Sequence, residues 1–233
     1  MPSHRLPSAV PEGARERRRH ITRRDLLAAG RRLFGEQGLY ESRIEDLTRR
    51  AGIAKGTLYG YFASKQELIE AVVSSGLSEL LGQTHREAQE ARTHPEVVAR
   101  VAEAHLAFFE ENPDLMRIFH QVRGLLKFRR VEGRRLERIL AKYLMGLAQI
   151  LALRRGTAPG DASANLDTAV LLFGAVSGIA STRASLSDAS PSEGRSRATI
   201  RGLVGLVLGF ESRAGEFAAK DAEWARGGEA DEC

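Results

Sequence analysis

The chain has 233 residues, of which 42% are hydrophobic, and a net charge of +5 at neutral pH. This apolar content predicts a folded core, and the only cysteine, Cys233 at the last position, excludes a disulfide framework and a cysteine-based zinc site. The N-terminal arginines are not followed by an apolar signal segment, and the longest apolar run, "TAVLLFGAVSGIA", is short for a membrane span and rich in small residues. We expect a soluble cytoplasmic protein without membrane contacts.

The positive charge is concentrated near the N-terminus. Residues 15–65 contain thirteen Lys or Arg and six Asp or Glu, so this segment is more positive than the whole chain. A clustered basic segment is typical of a surface that binds phosphates, with a solvated charged face as the alternative.

The first two predicted helices are defined by their apolar faces and their ends. In the first, Thr22 is the N-cap with Asp25 as its partner, and Gly38 ends the helix. Its inner face comprises Leu26, Leu27, Gly30, Leu33 and Phe34. The stretch "SRIEDLTRRAG" predicts a second helix of about two turns, with Ser42 as the N-cap and Gly52 at its end.

The stretch "GIAKGTLYGYFASK" predicts a tight turn followed by a third short helix. Gly52 permits the turn, Ile53 fills the angle between the helices, and Leu58 and Phe62 lie on the inner face. Ser64 then caps a longer fourth helix. Two short helices joined by a glycine turn beside a basic flank have the outline of a helix-turn-helix.

The outward face of the third helix has the chemistry of a DNA-binding surface. Backbone at Gly56 can approach a phosphate, Thr57 can reach a base edge, and tyrosine hydroxyls can bind phosphates. Lys65 adds a charge beside a helix N-terminus, which favours phosphate. The exposed set is Lys55, Gly56, Thr57, Tyr59, Gly60 and Tyr61. Half-buried aromatics and a solvated lysine are the alternatives.

Residues 20–80 resemble the DNA-binding domain of the TetR family of bacterial transcriptional regulators. The resemblance is carried by "LFGEQG" and by "SRIEDLTRRAGIAKGTLYGYFASKQELI". It implies phosphate contacts from Ser42, Tyr59, Tyr61 and Lys65, and positions at or near base edges for Arg43, Lys55, Gly56, Thr57 and Leu58. Three departures are Ala54, where the family usually has a capping serine, Thr48, where it usually has alanine, and Gly60, where it has a larger residue.

The resemblance also implies the architecture. We expect an all-α homodimer in which a three-helix helix-turn-helix domain precedes a larger helical domain for ligand binding and dimerisation. The expected segments are a basic arm (1–19), the DNA-binding domain (20–80, helix-turn-helix 43–62), the effector and dimerisation domain (81–212) and a polar tail (213–233). The arm is either a minor-groove contact or a solubilising tail.

The C-terminal part reads as further helices. One begins at Pro95 and stops before Pro113, and "DLMRIFHQVRGLLKF" predicts a short helix with a breaker near Gly124. A long amphipathic helix, "EGRRLERILAKYLMGLAQILALRRG", precedes the loop "GTAPGDASAN". Two helices that are apolar nearly all round, "LDTAVLLFGAVSGIASTRASL" and "GRSRATIRGLVGLVLGF", follow.

Small residues on the last two helices predict a close helix contact. The glycines are spaced four apart on one face, at Gly174 and Gly178 and at Gly205 and Gly209. Packing within the chain is the alternative. Together with the resemblance, this spacing favours a bundle between two copies of the chain, an isologous interface.

A ligand pocket is predicted between the helices of the larger domain. The candidate lining residues are His105, Phe109, Met116, Phe119, His120, Phe128, Tyr143 and Phe173. The same residues would also suit an ordinary helical core. We predict no metal site, because neither of these histidines has a partner at ligating spacing, and no cofactor.

The chain lacks the motifs of an enzyme: a phosphate loop, a nucleophile elbow, HExxH or paired carboxylates at catalytic spacing. The predicted function is a homodimeric repressor that a small apolar or amphipathic ligand releases from a palindromic DNA operator. An effector-independent DNA-binding protein and a transcriptional activator are the alternatives.

Overall fold

The computed structural model describes residues 22–127, 133–154, 162–185 and 198–212, and in these ranges every regular element is a helix. The helices are α1 (Arg23–Gln37), α2 (Ile44–Ala51), α3 (Lys55–Tyr59), α4 (Lys65–Gln89), α5 (His94–Glu111), α6 (Pro113–Lys127), α7 (Gly133–Leu151), α8 (Ala162–Ser185) and α9 (198–212). The predicted all-α class is confirmed. The arm at 1–19 and the tail at 213–233 lie outside the described residues.

Local capping sets the boundaries of the first helices. Thr22 and Asp25 form a reciprocal capping box at the start of α1, and the N–H of Gly38 donates to the Phe34 carbonyl at its end. At the start of α4 the Ser64 hydroxyl accepts from the N–H of Glu67 at 3.1 Å. These caps satisfy backbone groups that a helix end leaves without partners. The three predicted caps are confirmed.

The long helix α4 joins the two halves of the chain. It packs against α1 near its beginning and against α5 and α7 further along. Leu68 is fully buried near the first end, and Leu80 is fully buried further along. The buried residues of α4 therefore belong to one continuous core that extends through both halves.

In the larger domain, α8 is central. It packs against α5, α6 and α7, and its inner residues Leu172 and Val176 are fully buried. The stretch Asn165–Arg183 of α8 is long and apolar enough to cross a membrane, judged by length and composition alone. The sequence analysis considered only the shorter run "TAVLLFGAVSGIA" within it and predicted no membrane span. About a third of Asn165–Arg183 is buried, and α8 packs against α5, α6 and α7.

Two predicted boundaries are wrong. Helix α6 starts at Pro113 and continues through Gly124 to Lys127, so there is no break at that glycine. The predicted loop ends earlier than expected, because α8 already begins at Ala162. One glycine inside a helix costs only about 1 kcal/mol relative to alanine, which is not enough to end α6 at Gly124.

Helix α9 is attached to the rest of the domain by its inner face and by polar contacts near both ends. Leu203 and Val207 are buried. Arg183 of α8 donates to the Thr199 hydroxyl at 2.8 Å, and the His94 ring of α5 lies 2.8 Å from the Glu211 carboxylate.

Candidate DNA-binding surface and ligand pocket

The turn between α2 and α3 has the geometry that the sequence predicted. Gly52 has φ of 67° and ψ of 33°, the left-handed conformation that a side chain disfavours. Its N–H donates to the Arg49 carbonyl, and the N–H of Ile53 donates to the Thr48 carbonyl at 3.0 Å. Leu58 and Phe62 are each 1% exposed. The turn and the inner face of α3 are therefore fixed by the core.

The outer face of α3 forms an exposed surface. Thr57 is exposed, Tyr59 is 44% exposed and Tyr61 is 40% exposed. A β-carbon at Gly56 would meet no other atom within 4 Å, so backbone here is open to an approaching partner. Lys55 completes this face. All five predicted residues are exposed, and they lie within or directly after the short helix α3.

Lys55 is held by an acidic neighbour on α2. Its ammonium lies 2.5 Å from the Glu45 carboxylate. The hydrogen bond raises the pKa of Lys55 and lowers the pKa of Glu45 from their ordinary values. The pair therefore keeps both charges, and a phosphate or base that takes Lys55 must compete with Glu45.

Two predicted contact residues are core residues instead. Ser42 is 2% exposed and its hydroxyl donates to the Leu39 carbonyl, while the N-cap position of α2 is Arg43, without a side-chain cap. The predicted Ser42 cap is therefore wrong. Burial is equally inconsistent with side-chain contacts to DNA from Ser42 and from Leu58. Arg43 is exposed, as its predicted base-edge position requires.

Lys65 bonds to the loop before α2. Its ammonium donates to the Ser42 carbonyl at 2.5 Å and to the Tyr40 carbonyl at 3.3 Å. Burial lowers the pKa of Lys65, partly offset by the nearby Glu41 carboxylate. Tyr40 is 64% exposed beside this contact. The sequence analysis did not select Tyr40, although an aromatic directly before a helix-turn-helix is a usable signal.

Helix α3 has no side-chain N-cap, as expected from the alanine that replaces the usual serine at position 54. Ala54 occupies the N-cap position of α3 and gives no side-chain hydrogen bond. Thr57 N–H donates to the Ala54 carbonyl at 3.0 Å instead.

A cavity of about 30 Å³ lies between α4, α6, α7 and α8, and Phe109 of α5 also lines it. Five predicted residues line it: Phe109, Met116, Phe119, His120 and Phe173. Its other lining residues are Val73, Leu77, Val122, Arg123, Leu136, Leu140, Ser177 and Ser181. The sequence analysis missed these because five aliphatic residues, an arginine and two serines on four helices give no local sign of sharing a cavity. Phe128 lies outside the described residues.

His105 and Tyr143 do not line this cavity. His105 is fully buried, and its Nδ1 donates to the Val101 carbonyl at 2.8 Å, which leaves Nε2 to accept from the Tyr143 hydroxyl at 2.5 Å. Burial lowers the pKa of His105 to about 4 and raises that of Tyr143 well above its ordinary value. The two form a neutral polar pair inside the core, so their predicted place in the pocket is wrong.

The cavity has an apolar floor and a polar mouth. Arg123 and His120 are exposed, and both reach α8: Arg123 donates to the Ser177 hydroxyl at 3.2 Å, and the His120 ring lies 3.4 Å from the Ser181 hydroxyl. On the floor, the Phe109 ring packs edge-on against Phe119 at 6.1 Å.

Helix α6 connects this cavity to the DNA-binding half. On its side facing α1, Asp114 accepts two hydrogen bonds from the Arg31 guanidinium, at 2.5 and 2.9 Å. Arg117 donates to the Gly35 carbonyl at 3.1 Å, and the Gln121 side chain accepts from the Leu39 N–H at 2.7 Å. A β-carbon at Gly35 would lie 2.6 Å from that of Asp114, so the two helices are in close contact. The sequence analysis found no part of this junction.

The glycines of α8 and α9 lie on an open face of the chain. Among the described residues, no atom outside the local helix backbone lies within 4 Å of a β-carbon built at Gly174, Gly178, Gly205 or Gly209. The same helices carry exposed apolar side chains, namely Val170 (50%), Leu206 (53%) and Phe210 (38%). Packing within the described chain does not account for these glycines.

Comparison with known proteins gives a family match over the helix-turn-helix. Residues 26–72 match the family model "Bacterial regulatory proteins, tetR family". The chain is 40% identical over 58 residues to the HTH-type transcriptional regulator YvdT of Bacillus subtilis. The aligned region covers 25% of this chain and 30% of that protein. It is 24% identical over 155 residues to the fatty acid metabolism regulator protein of the same organism, covering 65% of this chain and 77% of that protein.

The fold is also shared with solved regulators. The crystal structure of FadR from Bacillus subtilis in complex with stearoyl-CoA aligns with a TM-score of 0.60 and 19% identity, over 78% of this chain and 95% of that one. At this identity the likeness shows the fold. These similar proteins are transcriptional regulators, not enzymes.

Proposed function

We propose that the chain is a homodimeric repressor of the TetR family, because its helix-turn-helix matches the model of that family over residues 26–72 and its fold is shared with similar regulators. In this proposal the dimer binds a palindromic operator in the cytoplasm, and a small apolar or amphipathic ligand releases it. The observation that carries ligand control is helix α6, which lines the cavity on one side and bonds to α1 on the other.

DNA contact is assigned to the outer face of α3 and its surroundings. Lys55, Gly56 and Thr57 are the proposed base-side residues, because they are exposed at the start of the helix. Tyr59 and Tyr61 are the proposed phosphate ligands through their hydroxyls. Lys65 contributes by holding the loop at Tyr40 and Ser42, and its charge adds to the basic surface.

Dimerisation is assigned to α8 and α9. The glycines leave these helices without a neighbour on one face, and apolar side chains beside them are exposed. A second copy of the same face would cover both in an isologous interface. Two recognition helices can then enter successive major grooves if they are about 34–36 Å apart.

Ligand control follows from the size and position of the cavity. About 30 Å³ has room for only a few water molecules, so a ligand must displace side chains of α6 such as Met116 and Phe119. Because α6 is in close contact with α1, its displacement changes the position of the DNA-binding half. The stearoyl-CoA bound to the similar FadR is an amphipathic ligand, which supports the same class here.

Two alternatives make different predictions. An effector-independent DNA-binding protein would have no use for a lined cavity that is bonded to the DNA-binding half. An activator would share every contact above and differ only in the effect on transcription, which a reporter assay with the operator upstream or across the promoter distinguishes.

The test is selection of bound sequences from a random DNA library with the full-length protein. We expect enrichment of a palindrome, and we expect the Thr57→Ala variant to lose preference at one position in each half-site, at a cost of roughly 1–3 kcal/mol. Glu103→Ala, an exposed change on α5, is the matched control. A selection that enriches no sequence would contradict the proposal.

A further inference from the structure

The polar groups that line the cavity described above are hydrogen-bond donors. Among the described residues that line it none is acidic, and the polar lining groups are a guanidinium, an imidazole and two hydroxyls, of which the Ser177 hydroxyl is buried. All four groups can donate hydrogen bonds. From this arrangement, which rests on the proposed function, we propose that the ligand is an anionic amphipath: its apolar body lies among the phenylalanines and its anionic head binds at Arg123 and His120.

The charge balance at Arg123 supports an anionic head. Within the described ranges the Arg123 guanidinium has no carboxylate partner, and its hydrogen bond goes to the neutral hydroxyl of Ser177. A guanidinium has five N–H donors in a planar fork that matches a carboxylate or a phosphate. The Ser177 hydroxyl itself donates to the Gly174 carbonyl, so the N–H groups of Arg123 are the donors that would bind two oxygen atoms of a ligand.

The geometry also fixes the orientation of the ligand. Arg123 and His120 are exposed, whereas Phe109 and Phe173 on the floor are buried. Burial of a charged head against the floor without a partner is unfavourable, so the head stays at the mouth. The apolar body then displaces Met116, whose flexible thioether adapts to an irregular shape.

The experiment is calorimetric titration of the full-length protein with probes that share one chain and differ in the head. The probes are dodecanoate, dodecanoyl-CoA, dodecan-1-ol and dodecyltrimethylammonium, each below its micellar concentration. We expect dodecanoate or dodecanoyl-CoA to bind at least about tenfold more tightly than the cationic probe, the size expected for one hydrogen bond to a charged group.

Variants at the mouth identify the residue responsible. Arg123→Gln should weaken the anionic probes about tenfold and leave dodecan-1-ol within about twofold, while Arg123→Lys should retain most of the affinity. Arg138→Gln removes another arginine, an exposed one on α7 outside the cavity, and should behave as the wild type. Circular dichroism of each variant checks that the fold is intact.

The possible outcomes distinguish a carboxylate head from a phosphate head, and they distinguish failure of this inference from failure of the proposed function. Arg123-dependent binding of dodecanoate assigns the carboxylate as the head, and Arg123-dependent binding of the thioester alone assigns the phosphates of the coenzyme. Equal affinity for the anionic and cationic probes, or no effect of Arg123→Gln on either anion, overturns the inference. No DNA is present in these titrations, so failure to bind an operator would overturn the proposed function alone.

Discussion

The junction between α1 and α6 provides a direct test of how the two halves communicate. The change is Asp114→Asn, which keeps the shape of the side chain and therefore its tight contact with Gly35. It removes the negative charge and one of the two oxygens that accept from Arg31. The Asn112 side chain, 2.5 Å from the same guanidinium, remains as a neutral partner.

The expected loss of stability follows from the geometry of this pair. Hydrogen bonds to charged groups contribute about 1.5–3 kcal/mol, and the asparagine keeps one acceptor. The two side chains are 26% and 27% exposed, so solvent screening reduces the value. We expect Asp114→Asn to lower the free energy of unfolding by about 1–2 kcal/mol, in keeping with these two effects.

Urea denaturation at neutral pH measures this loss, and Arg100→Gln is its control. Arg100 pairs with Glu87 and Glu90 on the surface, where an ion pair contributes about 0–1 kcal/mol. If the junction transmits the ligand signal, Asp114→Asn should also reduce the factor by which dodecanoate weakens operator binding, and the control should not. A variant with wild-type stability and an unchanged coupling factor would refute the reasoning.

The pairing of Asp114 with Arg31 also predicts that the stability of the fold depends on pH in the acid range. Burial favours the neutral form of Asp114, but the hydrogen bonds from Arg31 and from the Leu115 N–H outweigh it, so the pKa of Asp114 lies below its ordinary value of 3.8. A carboxylate with a lowered pKa stabilises the fold above its unfolded pKa, and this contribution disappears as the pH falls through the folded value. The difference in stability between the wild type and Asp114→Asn should therefore shrink below about pH 3.8.

Three further changes test the DNA-binding surface and the dimer. Glu45→Gln should release Lys55 and strengthen binding to all DNA sequences with a steeper salt dependence, measured by fluorescence anisotropy. Lys65→Ala removes the bond to the Ser42 carbonyl and a positive charge, so binding to matched and mismatched operators should weaken alike in the same assay. Gly205→Leu should give monomers in light scattering, because overpacking a close helix contact costs about 1–3 kcal/mol.

Each of these has a control in the same chain. Glu103→Gln and Lys142→Ala remove exposed charges of the same sign far from α3, and should leave the salt dependence unchanged. Gly82→Leu adds the same side chain at a glycine of α4 whose β-carbon would meet only Arg86, at 3.7 Å, and should remain dimeric. A dimeric Gly205→Leu protein with wild-type operator affinity would exclude this glycine from the interface.

The helix-turn-helix could be predicted from the sequence because its determinants are local. Thr22 and Ser64 cap helices that start within one or two residues of them, and the left-handed conformation at Gly52 is required by the turn itself. Ser42 shows the limit of this reasoning. A hydroxyl before a helix satisfies the pattern of a cap, but the tertiary structure turns it inward to the Leu39 carbonyl.

The helices of the larger domain could be predicted from the sequence, but the residues that form its cavity and its junction with α1 could not. His105 and His120 both lie in apolar surroundings in the sequence, and only the packing distinguishes a buried core histidine from one at the mouth of a cavity. The junction at Asp114 was equally hidden, because its partner Arg31 is 83 residues away in the chain. Such contacts depend on how the helices pack, and sequence periodicity does not specify that.

Taken together, the cavity and the junction limit how strongly the ligand and DNA can influence each other. A ligand shifts the protein between two arrangements only by the difference between its affinities for them. In the proposed mechanism that difference comes from opening a cavity of about 30 Å³ beside Phe119, while Asp114 and Arg117 on the same helix hold α1. Because binding free energies are linked, operator DNA must weaken ligand binding by the same factor by which the ligand weakens DNA binding. Calorimetry of dodecanoate with and without operator measures that factor. Equal affinities would show that the contacts of α6 with α1 are structural and that the larger domain serves dimerisation without control.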